Sequence, residues 1–207
     1  MKKNIRVLIA DDHEIMRMGL AALLETDDEI KVVAEATDGM EAVEKTVNLR
    51  PDVMIMDLMM PRKDGSEATQ EIKTAVPETK VLLLTTFGTA DGIAHALEAG
   101  AEGALLKSTA NTNILKAVKT VANGEKAIAR EIEEFFVKEP PVPELTERQR
   151  IILESITEGL TNKAIADKLG ISEDGVKRHL NAIFPKLGVE SRAEAVAIAL
   201  RRHLLKT

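Results

Sequence analysis

Ile5-Arg6-Val7-Leu8-Ile9-Ala10-Asp11-Asp12 is the stretch that decides the fold. A short run rich in aliphatic side chains ending abruptly on two carboxylates reads as a buried strand that delivers charge to the edge of a sheet. Comparable runs recur at 53–56, 81–84 and 104–106, followed at once by Asp57, Thr85 and Lys107. Helix-like segments separate them, which is the βαβ pattern of an open parallel sheet. In such sheets ligands bind beyond the carboxyl ends of the strands, so Asp11, Asp12, Asp57, Thr85 and Lys107 converge on one edge.

Working outward, strands are predicted near 5–10, 31–36, 53–57, 80–85 and 103–106, alternating with helices near 14–25, 38–49, 66–75, 90–99 and 110–122. The spacing predicts capping by Asp38 ahead of Glu41 and by Ser66 ahead of Thr69, a last helix starting at Asn111, and a left-handed residue at Gly100. Taken alone, Asp12 would serve as a helix N-cap. From 124 to 143 the character changes to an acidic amphipathic stretch, 129–137, followed by Pro140, Pro141 and Pro143. Prolines remove backbone donors and stiffen the chain, so 124–143 reads as a linker with a short helix. Residues 144–207 read as all helical, with helices near 147–158, 162–168, 173–186 and 192–204, punctuated by glycines.

The length of 207 residues and 44% apolar content allow two domains with real cores. With no cysteine, thiolate metal sites, thiol nucleophiles and disulfide frameworks are excluded. No apolar run approaches about 18 residues, so a cytoplasmic protein without a membrane partner is expected. The net charge of −6 is uneven: residues 1–123 hold 14 basic and 20 acidic side chains, 124–143 hold 3 and 5, and 144–207 hold 11 and 9. A C-terminal part at +2 permits nucleic-acid binding without demonstrating it.

Carboxylates held a few ångström apart raise one another's pKa and need a compensating cation. An oxygen-only ligand set suits magnesium, which binds through one or two carboxylates and phosphate oxygens. That chemistry is phosphoryl transfer, with Asp57 as carboxylate nucleophile, Asp11 and Asp12 holding Mg2+, and Thr85 and Lys107 on the transferred group's oxygens. Met59 and Phe87, two residues beyond Asp57 and Thr85, are either ordinary packing or a rim that shields the acyl phosphate from water and lengthens its life.

On these residues the first 123 positions resemble the receiver domain of two-component response regulators. The motifs are Ala10-Asp11-Asp12, Met56-Asp57-Leu58-Met59-Met60-Pro61 with Gly65, Leu84-Thr85-Thr86 and Leu106-Lys107. The resemblance implies a five-stranded parallel (βα)5 flavodoxin-like domain whose Asp57 takes phosphate from a sensor histidine kinase. It further implies the Met59 backbone carbonyl as a magnesium ligand, and Thr85 and Lys107 as phosphoryl contacts. Ala104 stands where receivers often carry Tyr or Phe, so activation is expected to rely on Thr85 and the loop after it.

In the C-terminal part, Thr161 and Ser172 cap two helices joined at Gly170, the plan of a helix-turn-helix. Val176, Leu180, Ile183 and Leu187 fall on one face of the second, with Lys177, Arg178 and Asn181 opposite. Arg reads guanine, Asn reads adenine, and Lys neutralises phosphate. Residues 145–204 resemble the LuxR-type DNA-binding domain in Leu145-Thr146-Glu147-Arg148-Gln149, Gly159-Leu160-Thr161-Asn162-Lys163-Ala164-Ile165-Ala166, Val176-Lys177-Arg178-His179-Leu180 and Lys186-Leu187-Gly188. The resemblance implies a four-helix DNA-binding domain with Lys177, Arg178 and Asn181 in the groove and Lys163 and Lys186 near phosphates. Gly175, Asp174 and Pro185 depart from the family pattern.

The two resemblances together imply a NarL/FixJ-type response regulator: a transcription factor rather than an enzyme, dimerising on phosphorylation to bind double-stranded DNA. RNA polymerase is the further partner such a factor would meet. Two rival readings are weaker. A small-molecule-sensing LuxR-type regulator does not account for the acidic strand ends, and a magnesium-dependent aspartyl-phosphate hydrolase needs an acid where Met59 stands.

Overall fold

The computed structural model describes residues 4–86, 90–138, 140–143, 145–202 and 204. The chain divides into two compact units, Met1–Glu139 and Pro140–Thr207.

In the first unit β1 (Ile5–Ala10), β2 (Ile30–Ala36), β3 (Val53–Met56), β4 (Lys80–Thr85) and β5 (Gly103–Leu106) alternate with α1 (Glu14–Leu24), α2 (Gly39–Leu49), α3 (Gly65–Ala75), α4 (Ala90–Glu98) and α5 (Asn111–Ala122). All strand pairs are parallel, in the order β2-β1-β3-β4-β5-β6, where β6 is Ala127–Ile128.

The period-2 alternation of strands divides the core in two. Leu8, Ala10, Met54, Met56, Val81 and Leu83 join Ala42, Val43, Ala68, Ile72 and Ile93 in one cluster. Val7, Ile9, Val53, Ile55, Leu82 and Leu84 join Leu20, Leu24, Ile114 and Val118 in the other. Strands apolar on both faces need helices on both, so every connection is a crossover and the strand ends carrying polar residues collect on one edge.

The sheet has a sixth strand, and the segment expected to be linker begins inside this unit. Ala127 N–H donates to the Glu102 carbonyl at 3.0 Å and Ala129 N–H to the Ala104 carbonyl at 2.9 Å, extending the β5 edge. Helix α6 (Arg130–Lys138) then inserts Ile132, which is fully buried, into the cluster that holds Ala104 and Ile93. An open strand edge and an apolar residue both gain from docking, which outweighs the freedom of an acidic tether. The prolines at 140, 141 and 143 follow α6.

One cap differs from the sequence expectation. Asp64, not Ser66, caps α3 by accepting the Glu67 N–H at 2.8 Å, whereas α5 starts at Asn111 as expected, without a side-chain cap. Asp38 caps α2 through the Glu41 N–H at 2.9 Å, and Gly100 takes φ of 109°. Helix α1 has no side-chain cap, so Asp12 is not spent on one.

The second unit is α7 (Glu147–Thr157), α8 (Asn162–Leu169), α9 (Glu173–Leu187) and α10 (Arg192–Arg201), the last ending before the expected 204. Thr146 with Gln149, Thr161, Ser172, and Ser191 with Glu194 cap them in turn. Gly170, left-handed at φ 63°, makes the turn between α8 and α9, and Arg148 donates to the Leu169 carbonyl at 2.7 Å. Ile165, Val176, Leu180, Ile183 and Leu187 meet Ile152, Leu153 and Ile156 in the core. Pro185 forfeits one backbone bond, yet α9 continues through it to Leu187.

Candidate functional site

At the carboxyl edge of the sheet the parallel ladder runs one residue past the strands. Asp57 N–H donates to the Ala10 carbonyl at 2.8 Å, Asp11 N–H to Ala36 at 3.2 Å, and Lys107 N–H to Thr85 at 2.8 Å. Backbone pairing therefore places Asp11, Asp57 and Lys107 on adjacent strand ends. Lys107 Nζ lies 2.7 Å from Asp11 Oδ2, as an ion pair, and 2.8 Å from Asp57 Oδ2, as a hydrogen bond. Asp11 and Asp57 are only 1% and 3% exposed.

Two buried carboxylates sharing one ammonium leave a net negative charge away from water. Burial pushes the Asp57 carboxyl above its ordinary range, against the hydrogen bond and charge of Lys107, with the nearby Asp11 charge adding to the rise and the Met59 N–H opposing it. Burial works against the Lys107 ammonium too, but its pairs with Asp11 and Asp57 prevail and raise its pKa. The pocket thus holds an ammonium between two acids and favours further positive charge.

Asp11, Asp12, His13 and Asp57 each offer a ligand atom, all within 4.8 Å of one another. Three carboxylates around an anionic centre fit a hard divalent cation. His13, passed over in the sequence, lies with Nδ1 2.8 Å from Asp12 Oδ1 and 3.3 Å from Asp11 Oδ1. The His13 backbone N–H also donates to Asp11 Oδ1 at 2.9 Å, orienting the carboxylate. Arg17, one helical turn on, was missed as well: it donates to the Asp11 carbonyl at 2.8 Å and lies 3.3 Å from Glu35. The only sequence signal for either was proximity to the Asp-Asp pair.

Thr85 is buried at the end of β4, with its hydroxyl donating to the Thr86 carbonyl at 3.2 Å. Met59 is 49% exposed and so is not core filler, whereas Met54, Met56 and Met60 pack in the core. Phe87, the other half of the expected rim, and the loop expected to move with Thr85 lie at 87–89, outside the described residues. Gly65 closes the loop after Asp57: its N–H donates to the Leu58 carbonyl at 2.9 Å, and a Cβ there would stand 2.1 Å from the Asp57 carbonyl oxygen.

In the second unit Lys177, Arg178 and Asn181 are exposed on α9, opposite its buried apolar residues. Asp174 pairs with Lys177 at 3.1 Å, so it neutralises one of the cations beside it. Lys163 is exposed on α8. Lys186 is half-buried and donates to Gln149 Oε1 at 3.0 Å, so any phosphate contact competes with an internal hydrogen bond. His179 is half-buried on the flank of α9. Among the described residues no helix is long and apolar enough to cross a membrane.

Comparison with known proteins adds independent findings. The family model for the response regulator receiver domain matches residues 7–119, and that for bacterial regulatory proteins of the luxR family matches 143–199. The chain is 40% identical to the transcriptional regulatory protein LiaR of Bacillus subtilis strain 168, over 97% of this chain and 99% of LiaR. It is 37% identical to the oxygen regulatory protein NreC of Staphylococcus aureus strain JH9, over 98% and 100%. A solved structure of RcsB from Salmonella enterica serovar Typhimurium, bound to the promoter P1flhDC with the phosphomimetic BeF3−, superposes with a TM-score of 0.71. That match has 27% identity and covers 97% of this chain and all of the other.

Proposed function

The chain belongs to the response regulators that join a receiver to a LuxR-family DNA-binding domain, and we propose that Asp57 is the phosphoacceptor through which a sensor histidine kinase controls its binding to DNA. It is a transcription factor, not a conventional enzyme. The observation that carries the assignment of Asp57 is the buried Asp57–Lys107–Asp11 triad at the carboxyl edge of the sheet.

In the transfer step an Asp57 carboxylate oxygen attacks the phosphorus of the kinase's phosphohistidine. The P–N bond breaks, its electron pair returns to the imidazole nitrogen, and an acyl phosphate remains on Asp57. Asp11, Asp12, the Asp57 carboxylate and the Met59 carbonyl would hold Mg2+. When bound, magnesium offsets the carboxylate and phosphoryl charge and aligns the transferring group. Lys107 already lies against Asp57 Oδ2, so its ammonium can follow the phosphoryl oxygens without leaving Asp11. Thr85 would exchange its hydrogen bond to Thr86 for one to the phosphoryl group. Self-catalysed chemistry is at most weak: for hydrolysis, no acidic side chain stands at Met59 to assist attack by water.

Phosphate adds roughly −1.5 to −2 charges, by analogy with other phosphorylated side chains. That charge biases a two-state receiver toward a homodimer, which sets two α9 helices on half-sites about one helical turn apart. Lys177, Arg178 and Asn181 read base edges, and Lys163 and Lys186 lie near phosphates. DNA as the target implies a cytoplasmic location, and RNA polymerase is the downstream partner.

The test is treatment with acetyl phosphate and magnesium, recording intact mass, oligomeric state and selected DNA for the wild type and Asp57→Asn. One phosphoryl adduct confined to the wild type, with dimerisation, is expected. An adduct that survives the substitution would overturn the assignment.

A further inference from the structure

The loop between Asp57 and α3 carries an outlier. Arg62 has φ of 67°, a left-handed conformation that non-glycine residues avoid. Lys63 N–H donates to the Pro61 carbonyl at 2.8 Å across it, a three-residue turn of a kind that is rare and strained when its centre has positive φ. Such geometry persists only where the surroundings hold it.

What holds it here is the N-terminus of α2, more than twenty residues back in sequence. Gly39 N–H donates to the Lys63 carbonyl at 3.2 Å, and a Cβ on Gly39 would stand 2.4 Å from that oxygen. The Asp38 carboxylate is divided between two tasks. Its Oδ1 caps α2 through Glu41, and its Oδ2 pairs with the Arg62 guanidinium. Asp38 is 3% exposed at the side chain and Arg62 59%, so the pair joins a buried anchor to a surface turn. Lys63 is tied in turn to Glu71 of α3.

These contacts fall on the part of the loop that packing does not fix. Met60 is buried, but Met59 is half-exposed and Pro61 and Arg62 are exposed. The backbone of the Met59 segment is thus placed by polar ties on either side of it: Gly65 to Leu58, and the α2 terminus to Arg62 and Lys63.

We propose that Asp38 and Arg62 form a clamp that positions the Met59 segment of the phosphoacceptor loop, so that the start of α2 sets the affinity of the Asp57 pocket for a divalent cation. The inference rests on the functional reading above for what the pocket does, but the clamp acts on metal binding before any phosphate arrives. Asp38 and Arg62 are positioning residues, acting through the loop backbone and touching neither metal nor phosphate.

The experiment compares Asp38→Asn, Arg62→Ala and Arg62→Lys with the wild type. Asn retains an oxygen to cap α2, and Lys retains the charge, so each isolates the ion pair. Amide hydrogen exchange of residues 58–64 is read on metal-free protein, manganese binding by electron paramagnetic resonance, and phosphorylation by acetyl phosphate as a function of magnesium. Asp38→Asn and Arg62→Ala should speed loop exchange. They should also weaken manganese binding and raise the magnesium midpoint by about tenfold, as loss of an outer partner of a metal ligand does. The rate at saturating magnesium and the melting temperature should hold, and Arg62→Lys should recover most of the wild-type affinity. Unchanged manganese affinity in both disruptive variants would overturn the clamp, as would a fall in maximal rate and melting temperature without a midpoint shift. A wild type that binds manganese but takes no phosphate would instead refute Asp57 as phosphoacceptor, and the manganese series would still decide the clamp.

Discussion

Gly65→Ala should disturb the proposed phosphoacceptor loop, whereas Gly19→Ala, in α1, should stabilise the fold. At Gly65 an added Cβ would stand 2.1 Å from the Asp57 carbonyl oxygen and 2.9 Å from Leu58 Cα, where ordinary contact begins near 3.4 Å. The neighbours are backbone atoms of Asp57 and Leu58, so relief requires a shift of roughly 1 Å in the loop or in α3. Overpacking of this kind costs about 1–3 kcal/mol. A displacement of about 1 Å at a reacting group costs on the order of a hundredfold in rate. Gly19 lies within α1 with nothing within 4 Å of the added atom, and alanine there should stabilise by about 0.5–1 kcal/mol. Urea melts and time-resolved intact-mass measurements with acetyl phosphate and magnesium read both quantities. A Gly65→Ala protein with wild-type stability and wild-type phosphorylation would refute the close-approach argument.

Three further outcomes follow from other parts of the chain. Ile132→Ala should cost about 2–5 kcal/mol at its site and release α6 from the sheet edge, seen as new protease cleavage within 126–138; unchanged cleavage would mean that α6 docks by β6 alone. Glu41, held by Lys45 and the Thr37 N–H, has its carboxyl lowered from 4.5 to about 2, so its contribution is complete above pH 4.5 and lost as pH falls toward 2. Glu41→Gln should flatten that window by roughly 1 kcal/mol once solvent screening is allowed for, and an unaltered acid transition would count against the pairing. Arg178→Ala should cost about 1–3 kcal/mol on the preferred DNA site and relax specificity there, whereas equal losses on all sequences would make Arg178 a phosphate contact.

What could be read from the sequence was whatever is repeated or adjacent. Strands buried on both faces leave continuous apolar runs, so β1, β3, β4 and β5 and the polar residues ending them were legible, as was the apolar stripe of α9. β6 was not, because Ala127 and Ile128 make no strand pattern by themselves and pair only because β5 presents an open edge. The expected cap at Ser66, with Thr69 three residues on, gave way to Asp64, which has Glu67 three residues on and takes its N–H. His13 and Arg17 gave no periodic signal. The tie of Asp38 to Arg62 spans two loops, and neither residue hints at the other. Lys186 reads as a surface cation in the sequence, but Gln149 Oε1, which also accepts the Thr146 N–H in the capping box of α7, takes it inward.

Ala104 links the two halves of that list. An aromatic ring at this position would need room to move, yet Ala104 is fully buried in the cluster that contains Ile132 and Ile93, with Phe136 packed against it. Its carbonyl accepts the Ala129 N–H, and it pairs in register with Leu83 on one side and Ile128 on the other. Besides its ladder with β4, strand β5 is joined to the pocket by Lys107 just past its end, against Asp11 and Asp57, and to the β6–α6 segment along its other edge. The four-residue strand β5 thus lies between the residues of the acidic pocket and the β6–α6 segment. With alanine at 104, phosphorylation should act through Thr85 and the loop after it, and a Thr85→Ala protein that still dimerises on phosphorylation would refute this.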